Sequence, residues 1–303
     1  MIVAFGTINV DMVTVLTRFT VPGETVKGRD YQLFPGGKGA NQALAAAKAG
    51  AKVVMVGAVG RDGFADAALV NLRAARVDLT RVRVSASPTG IYMIAIGPGG
   101  ENLMIGANAA NDTARADWLE GLFRPGVTFL TQNSLGTAEV ETAIAMARAA
   151  GARIVYNAAP AEPVAEATLA AADVIVVNVH EARRYGELLG LPSDPEGFAR
   201  AAAARFGRDV IVTIGPGGIV AVIGGRAVRA APPPVAAVDS TGAGDALCGA
   251  LAAALDRGET MTTALAEGVA AGALACRETG AQTSFRDLAE IRALAAGIAL
   301  EPI

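Results

Sequence analysis

The sequence predicts an α/β fold in which a doubly wound, mostly parallel sheet is flanked by helices and carries a small antiparallel β-lid. Short apolar runs alternate with alanine-rich helical stretches along the chain. Of the 303 residues, 52% are hydrophobic and 18% are charged, which fits buried strands and excludes a disordered chain. Two segments interrupt the alternation, and we assign them to the lid.

The predicted elements alternate from the first strand onward. Apolar runs bounded by glycine or polar residues predict buried strands at residues 2–6, 52–59, 127–130, 153–157, 174–178 and 210–214. Alanine-rich stretches predict helices at residues 39–49, 138–150, 165–171, 195–206 and 248–255. Strands separated by helices of this length pair in parallel, through right-handed crossovers that place helices on both faces of the sheet.

The lid is predicted from two segments that lack a helical period. Residues 10–34 alternate apolar and polar positions around a turn at Pro22-Gly23, and residues 89–105 are typical of a hairpin that turns at residues 97–100. We therefore predict one domain over residues 1–303, with a lid inserted from about residues 10–35 and 89–106. The alternative is that these strands lie at the edge of the main sheet.

Composition excludes several other classes of protein. A net charge of −3 provides no basic surface for nucleic acid. Glycine, proline or charge cuts the apolar stretches before the roughly 18 residues that a membrane-spanning helix needs. No basic leader or cleavage site precedes the first strand, so we expect a cytoplasmic enzyme. Cys248 and Cys276 are expected to be buried free thiols, and a single histidine, His180, excludes a histidine-rich metal site.

The first glycine motif, GGKGANQA, covers residues 36–43 at the start of a predicted helix. Gly37 and its neighbours allow a close approach of backbone to a ligand, and the helix start offers free N–H groups. Asn41 adds an amide that can donate to a hydroxyl and accept from it. The motif is not a Walker A loop, because Lys38 is followed by glycine. The alternative is a purely structural glycine turn.

The second motif, DSTGAGDA, covers residues 239–246 before an apolar helix. The N–H groups of Gly242, Ala243 and Gly244 are expected to point from the helix start into an anion site. Such donors stabilise a phosphoryl group in transfer, and Asp245 can take the proton of the attacking hydroxyl. The alternative is that Asp245 merely caps the helix.

Together, these motifs resemble the two signature regions of the ribokinase-like sugar kinases, the pfkB family. The likeness extends over the chain through GTINVD at residues 6–11, PGETV at residues 22–26 and GAQTS at residues 280–284. It implies that Asp245 is the general base and that the amides of Gly242, Ala243 and Gly244 form an anion hole. The sugar site that it implies consists of Asn9, Asp11, Gly37, Lys38 and Asn41.

The resemblance also implies a nucleotide site for ATP. Asn178 and Glu181, in the sequence NVHE, match an Asn-x-x-Glu motif associated with phosphate and with water on magnesium. Asn178 ends an apolar run, so it is expected at the carboxyl edge of the sheet; the alternative is a helix-capping asparagine. Thr213, Gly215 and Gly218 resemble a loop that holds the adenine nucleotide, although a plain strand-to-strand turn is the alternative. His180 is expected at the surface.

A monovalent cation site is a further implication of the resemblance. Its ligands are mostly backbone carbonyl oxygens, which suit potassium. The matching positions are Asp239, Thr241, Ala275, Glu278, Gly280 and Ser284.

Ser134 departs from the family pattern, because ribokinases place a glutamate there in contact with the sugar. Gln132 or Asn133 is a candidate to replace that acceptor. The sequence-based hypothesis is ATP-dependent phosphorylation of D-ribose to D-ribose 5-phosphate. A nucleoside kinase of the same family and a non-catalytic sugar-binding regulator are the alternatives. The expected partners are the sugar, ATP with Mg²⁺ and K⁺, and a second copy of the chain paired through the lid, with no nucleic acid or membrane.

Overall fold

A ten-stranded sheet forms the centre of the molecule in the computed structural model, which describes residues 1–303. Its order is β14-β13-β12-β11-β10-β9-β8-β1-β4-β5, and the seven strands from β11 to β5 are parallel. Six of these seven were predicted; the edge strand β5 was not. The strands are β1 (Ile2–Phe5), β4 (Val53–Val59), β5 (Asp78–Val84), β8 (Thr128–Gln132), β9 (Arg153–Asn157), β10 (Val174–Asn178), β11 (Asp209–Thr213), β12 (Ile219–Ile223), β13 (Arg226–Ala230) and β14 (Glu301–Pro302).

Three strands at one edge, β12 to β14, are antiparallel and were not predicted as strands. The run that follows β11 is interrupted by Gly215-Pro216-Gly217-Gly218, which obscures the start of β12 in the sequence. Gly224 and Gly225 both have positive φ, of 53° and 77°, and they form the tight turn between β12 and β13. The edge is therefore a meander beyond the last parallel strand.

A separate four-stranded sheet, the lid, stands beside the main sheet in the order β3-β2-β6-β7. Its strands are β2 (Asn9–Val15), β3 (Tyr31–Gly36), β6 (Gly90–Ile96) and β7 (Asn102–Ala107). The pairs β2–β3 and β6–β7 are antiparallel, as predicted, whereas the central pair β2–β6 is parallel. Both central strands enter the lid from the main sheet at the same end, which makes this pair parallel.

Helices cover both faces of the main sheet, which confirms the doubly wound prediction. Ile2 and Ala4 of β1 pack towards α1, α7 and α8, while Val3 and Phe5 pack towards α3, α5 and α6. The helices are α1 (Lys38–Lys48), α2 (Gly63–Ala74), α3 (Thr137–Ala149), α4 (Glu166–Ala171), α5 (Val179–Leu189), α6 (Pro195–Phe206), α7 (Ala243–Asp256), α8 (Met261–Ala275), α9 (Ala281–Ser284) and α10 (Leu288–Ala295).

The small residues of α1 and α7 allow these helices to pack with their backbones close together. A Cβ atom added at Gly249 of α7 would lie 2.6 Å from Ala45 Cβ and 2.7 Å from Ala46 N. Cys248 is buried, as predicted, but Cys276, just after α8, is only partly buried. The high alanine and glycine content therefore serves close helix packing.

No helix combines the length and the apolar character that crossing a lipid bilayer requires. A cytoplasmic location stays a prediction.

Candidate active site

Glycines bring the start of α1 against the loop that follows β1. A Cβ atom at Gly39 would lie 2.5 Å from Gly6 C, and one at Gly37, whose φ is +91°, would lie 2.6 Å from Thr7 O. Thr7 O accepts a hydrogen bond from Ala40 N at 3.0 Å. The first glycine motif therefore provides a close backbone contact that sets α1 beside the entry to the lid.

Asn9 is buried where β2 leaves this loop. Its Oδ1 accepts from Asn111 Nδ2 at 2.7 Å, and Asn111 Oδ1 accepts from Ile8 N at 2.8 Å. Asn111 therefore holds the Asn9 amide with its nitrogen free to donate. Asn111 is not among the predicted site residues, because nothing in the sequence around it marks it as a partner of a residue 102 positions earlier.

The carboxylate of Asp11 forms no hydrogen bond with another protein group, although its backbone belongs to the paired strand β2. Burial, reinforced by repulsion from Asp245, raises the pKa of Asp11 from 3.8 to about 6. A side chain at Gly36 would collide with the Asp11 carboxylate, so glycine keeps this space open. Asp11 is thus a largely buried acceptor with both oxygens available to a ligand.

Asp245 lies in the first turn of α7 and is only 8% exposed. Its Oδ2 accepts from Asn41 Nδ2 and its Oδ1 from Gln42 Nε2, both at 2.9 Å. The helix is capped by Gly242 without a side-chain hydrogen bond, so Asp245 does not act as the cap. Its carboxylate is instead held by side chains from the start of α1.

The backbone N–H groups at the start of α7 are only partly available as an anion hole. Ala243 N donates to Ser240 O at 3.2 Å, because the chain closes a tight turn there. This bond corrects the prediction that three N–H groups are free. Gly242 N and Gly244 N have no protein acceptor, so two donors point into the site.

Lys38 and Asp245 line a cavity of about 180 Å³, together with Asn178, Glu181 and Thr213. Burial disfavours the Lys38 ammonium, but the carboxylates of Asp245 and Glu181 outweigh this effect and raise the pKa of Lys38. Burial also raises the pKa of Glu181, although Asn178 N–H and Lys38 oppose the rise. The cavity thus combines a cation with two carboxylates and free backbone donors.

Asn178 and Glu181 form a capping box at the start of α5. Asn178 Oδ1 accepts from His180 N at 2.8 Å and Glu181 N at 2.9 Å, and Glu181 Oε2 accepts from Asn178 N at 2.8 Å. Asn178 therefore caps the helix, as the alternative held. This capping leaves Asn178 Nδ2 and Glu181 Oε1 free toward the cavity. His180 is exposed, as predicted.

A second cavity of about 470 Å³, the nucleotide-sized cleft, adjoins the first, because Thr213 and Gly244 line both. Gly215 and Gly218 belong to the turn between β11 and β12, as the alternative held, and they also line this cleft. A side chain at Gly218 would collide with Ala230 O. The prolines 232–234 also line this cleft.

The predicted cation positions are brought together in part. Asp239 Oδ1 accepts from Thr241 Oγ1 at 2.6 Å and Asp239 Oδ2 from Gly280 N at 2.8 Å, and although burial opposes it, these bonds lower the pKa of Asp239. Ser284 Oγ donates to Ala281 O at 2.7 Å. The Glu278 carboxylate pairs with Arg286, so only its backbone can serve a cation site. Ala275 is buried at the end of α8.

Ser134 lies beside the loop after β1, with its Oγ 3.2 Å from Thr7 Oγ1. Gln132 and Asn133, the predicted substitutes for the missing carboxylate, are buried, and they donate to Gln42 Oε1 and to Pro160 O. Their carbonyl oxygens, Gln132 Oε1 and Asn133 Oδ1, are buried and accept no hydrogen bond, so their role as substitute acceptors stays a prediction. Ser134 leaves this wall of the site small and uncharged.

The pfkB family of carbohydrate kinases matches residues 1–288 of the chain. The ribokinase of Haemophilus influenzae is 32% identical over 288 residues, which are 92% of this chain and 93% of that one. The ribokinase structure from Thermotoga maritima has a TM-score of 0.88 and 30% identity over 98% and 99% of the two chains. Arabidopsis thaliana ribokinase complexed with ribose and ATP has a TM-score of 0.87 and 26% identity over 97% and 98%. The chain therefore belongs to the pfkB family of carbohydrate kinases and is a sugar kinase.

Proposed function

We propose that the protein transfers the γ-phosphoryl group of ATP to the primary hydroxyl of D-ribose, which yields D-ribose 5-phosphate and ADP. The observation that carries this proposal is the position of Asp245. It lies between the buried polar groups at the base of the lid and the nucleotide-sized cleft. The names of the relatives, including one bound to ribose and ATP, support the choice of substrates.

The sugar binds under the lid, where uncommitted polar groups converge. Asp11 accepts from two hydroxyl groups, while Asn9 Nδ2 donates to a sugar oxygen. Gly37 and Lys38 complete the site from the start of α1, and Asn41 contributes the one N–H of its amide that Asp245 does not take. A polyhydroxylated ligand suits these groups, because each buried donor or acceptor then gains a partner.

The reaction is a direct transfer at phosphorus. Asp245 takes the hydroxyl proton as the sugar oxygen bonds to the γ-phosphorus and the bond from that phosphorus to the leaving ADP oxygen breaks. Gly242 N–H, Gly244 N–H and Lys38 stabilise charge on the moving phosphoryl group. Bound magnesium would supply positive charge to the phosphates, and Asn178 and Glu181 are the residues that would hold its water. Thr213, Gly215 and Gly218 would hold the nucleotide.

Potassium activates the enzyme by binding beside the loop that carries the anion hole. The bonds of Asp239 to Thr241 and Gly280 bring two carbonyl-bearing segments together beside Gly242. The oxygens offered by these residues, with Ala275, Glu278 and Ser284, fit a hard monovalent cation. A cation there stabilises the loop that positions Gly242 and Gly244.

The lid pairs two copies of the chain in a homodimer. Its strands carry large apolar side chains that are exposed to solvent in a single chain and become buried when two lids pair. Molar mass from light scattering at micromolar concentration should equal two chains, and the mass of one chain would contradict the pairing. The exposed side chains are Tyr31, Leu33, Met93, Leu103, Met104 and Ile105.

A nucleoside kinase is the second candidate function, and Ser134 is the observation that favours it. A small uncharged group at this wall leaves room for a substituent on the sugar. We expect ribose to be the preferred acceptor in a panel with fructose, adenosine, inosine and cytidine, assayed for ATP turnover. If a nucleoside is phosphorylated and ribose is not, the nucleoside is the substrate and the assignment of ribose is wrong.

Asp245→Asn should retain ribose and ATP binding but lower turnover by about 10²–10⁴-fold, because the amide cannot take the hydroxyl proton. A coupled ADP-release assay and ribose titration calorimetry measure the two effects. Asp256→Asn, at the far end of the same helix, is the matched control and should turn over at the wild-type rate. Wild-type turnover in Asp245→Asn would remove the base from the mechanism.

Asp11→Asn should stabilise the protein while weakening ribose binding. The pKa of Asp11 is about 6 in the folded chain against 3.8 ordinarily, so its ionisation destabilises the fold as pH rises through this window. At pH 8 we expect a gain of about 1–3 kcal/mol in unfolding free energy, which vanishes near pH 4. Denaturant titrations at both pH values measure it, and an unchanged difference between them would contradict the assignment.

For the wild-type enzyme, the same ionisation predicts that the KM for ribose rises as pH falls below about 6, because protonated Asp11 accepts hydroxyl groups poorly.

A further inference from the structure

Three of the four glutamines in the chain are buried around Asp245. Gln42 and Gln132 are 0% exposed and Gln282 is 2% exposed, whereas Gln32 is exposed on the lid. Buried amides are costly unless their donors and acceptors are paired. Because these three amides are buried around a single carboxylate, we expect them to act on that carboxylate.

One arm of hydrogen bonds reaches Asp245 through Gln42. Gln132 Nε2 donates to Gln42 Oε1 at 2.8 Å, and Gln42 Nε2 donates to Asp245 Oδ1 at 2.9 Å. Gln42 Nε2 also donates to Asn157 Oδ1 at 3.0 Å, while Asn157 Nδ2 donates to Val176 O at 3.0 Å. Both N–H groups and the carbonyl of Gln42 are thus paired.

A second arm reaches the other carboxylate oxygen through Asn41. Gln282 Nε2 donates to Asn41 Oδ1 at 3.0 Å, and Asn41 Nδ2 donates to Asp245 Oδ2 at 2.9 Å. Asn71 Nδ2 in turn donates to Gln282 Oε1 at 3.2 Å. The two arms end in the neighbouring residues Asn41 and Gln42 of α1 and occupy one lone pair on each oxygen of Asp245.

The amide of Gln42 can adopt only one orientation. A half-turn about its terminal bond would place its oxygen against the oxygens of Asp245 and Asn157 and its nitrogen against Gln132 Nε2. Both oxygens of an ionised carboxylate accept and neither donates, so they select the orientation in which Gln42 donates. Because every polar group of Gln42 is paired, its amide is held rigidly. Within the network, Gln132 Oε1 is buried without a partner.

We propose that Gln42 is a positioning residue that sets the orientation of the Asp245 carboxylate for proton abstraction. This inference rests on the proposed role of Asp245 as the base. One lone pair on each carboxylate oxygen is already occupied by an amide N–H. The hydroxyl proton therefore transfers to a remaining lone pair: the O–H bond of the sugar breaks and an O–H bond forms on Asp245.

The test is Gln42→Met, which retains the length of the side chain and removes its hydrogen bonds. We expect kcat with ribose to fall about 10–10²-fold while the KM for ATP stays unchanged, because misorientation affects the chemical step. Gln32→Met makes the same substitution at the exposed glutamine and should leave kcat unchanged. Thermal melting establishes that each variant is folded.

A double-mutant cycle separates positioning from general structural damage. In an Asp245→Asn background, Gln42→Met should lower kcat by less than about two-fold, since the group it positions can no longer act as a base. Equal losses in both backgrounds, or an unchanged kcat in folded Gln42→Met, would overturn the proposal. Wild-type turnover in Asp245→Asn alone would instead overturn the proposed function.

If Gln42→Met does not fold, Gln132→Met provides the test. It removes the bond that Gln132 donates to Gln42 Oε1 and leaves only Asp245 and Asn157 to hold the Gln42 amide, so kcat should fall about five-fold, again without a further loss in the Asp245→Asn background. An unchanged kcat or an equal loss in both backgrounds would overturn the proposal here as well.

Discussion

The contact between the backbones at Gly6 and Gly39 is the constraint on which the site depends. No side chain fits between these residues, so the loop after β1 and the start of α1 meet directly. This contact places Lys38 and Asn41 beside the strand that carries Asp11. From there α1 runs along α7 and meets it closely at Gly249, which sets the distance from its first turn to Asp245. Substrate groups and base are therefore positioned by one short helix.

Much of the fold and of the site could be predicted from the sequence, because the relevant signals are local. Apolar runs that end in a polar residue mark the carboxyl edge of a parallel sheet, and Asn178 lies there. A glycine loop before a small-residue helix marks a site of close approach, as at Asp245. In a chain with 18% charged residues, polar groups in such places are conspicuous.

What the sequence could not predict depends on pairings between distant residues. Gln42 and Asp245 are 203 positions apart, and Asn9 and Asn111 are 102 apart, with no periodicity that connects them. The bond from Ala243 N to Ser240 O depends on the shape of a single turn. The buried state of Gln132 depends on what the neighbouring helix presents to it. Such facts follow from packing in three dimensions rather than from residue type.

All four connections between the lid and the rest of the molecule lie at one end of the small sheet, and they consist of residues 6–8, 37, 85–89 and 108. The hinge for any rotation of the lid is therefore at this end. Asn9 lies at this hinge, whereas the far tips of the strands have the longest path. Opening would thus withdraw Asp11, which lies further along β2, from the sugar, while Asn9 and the start of α1 keep their places beside it.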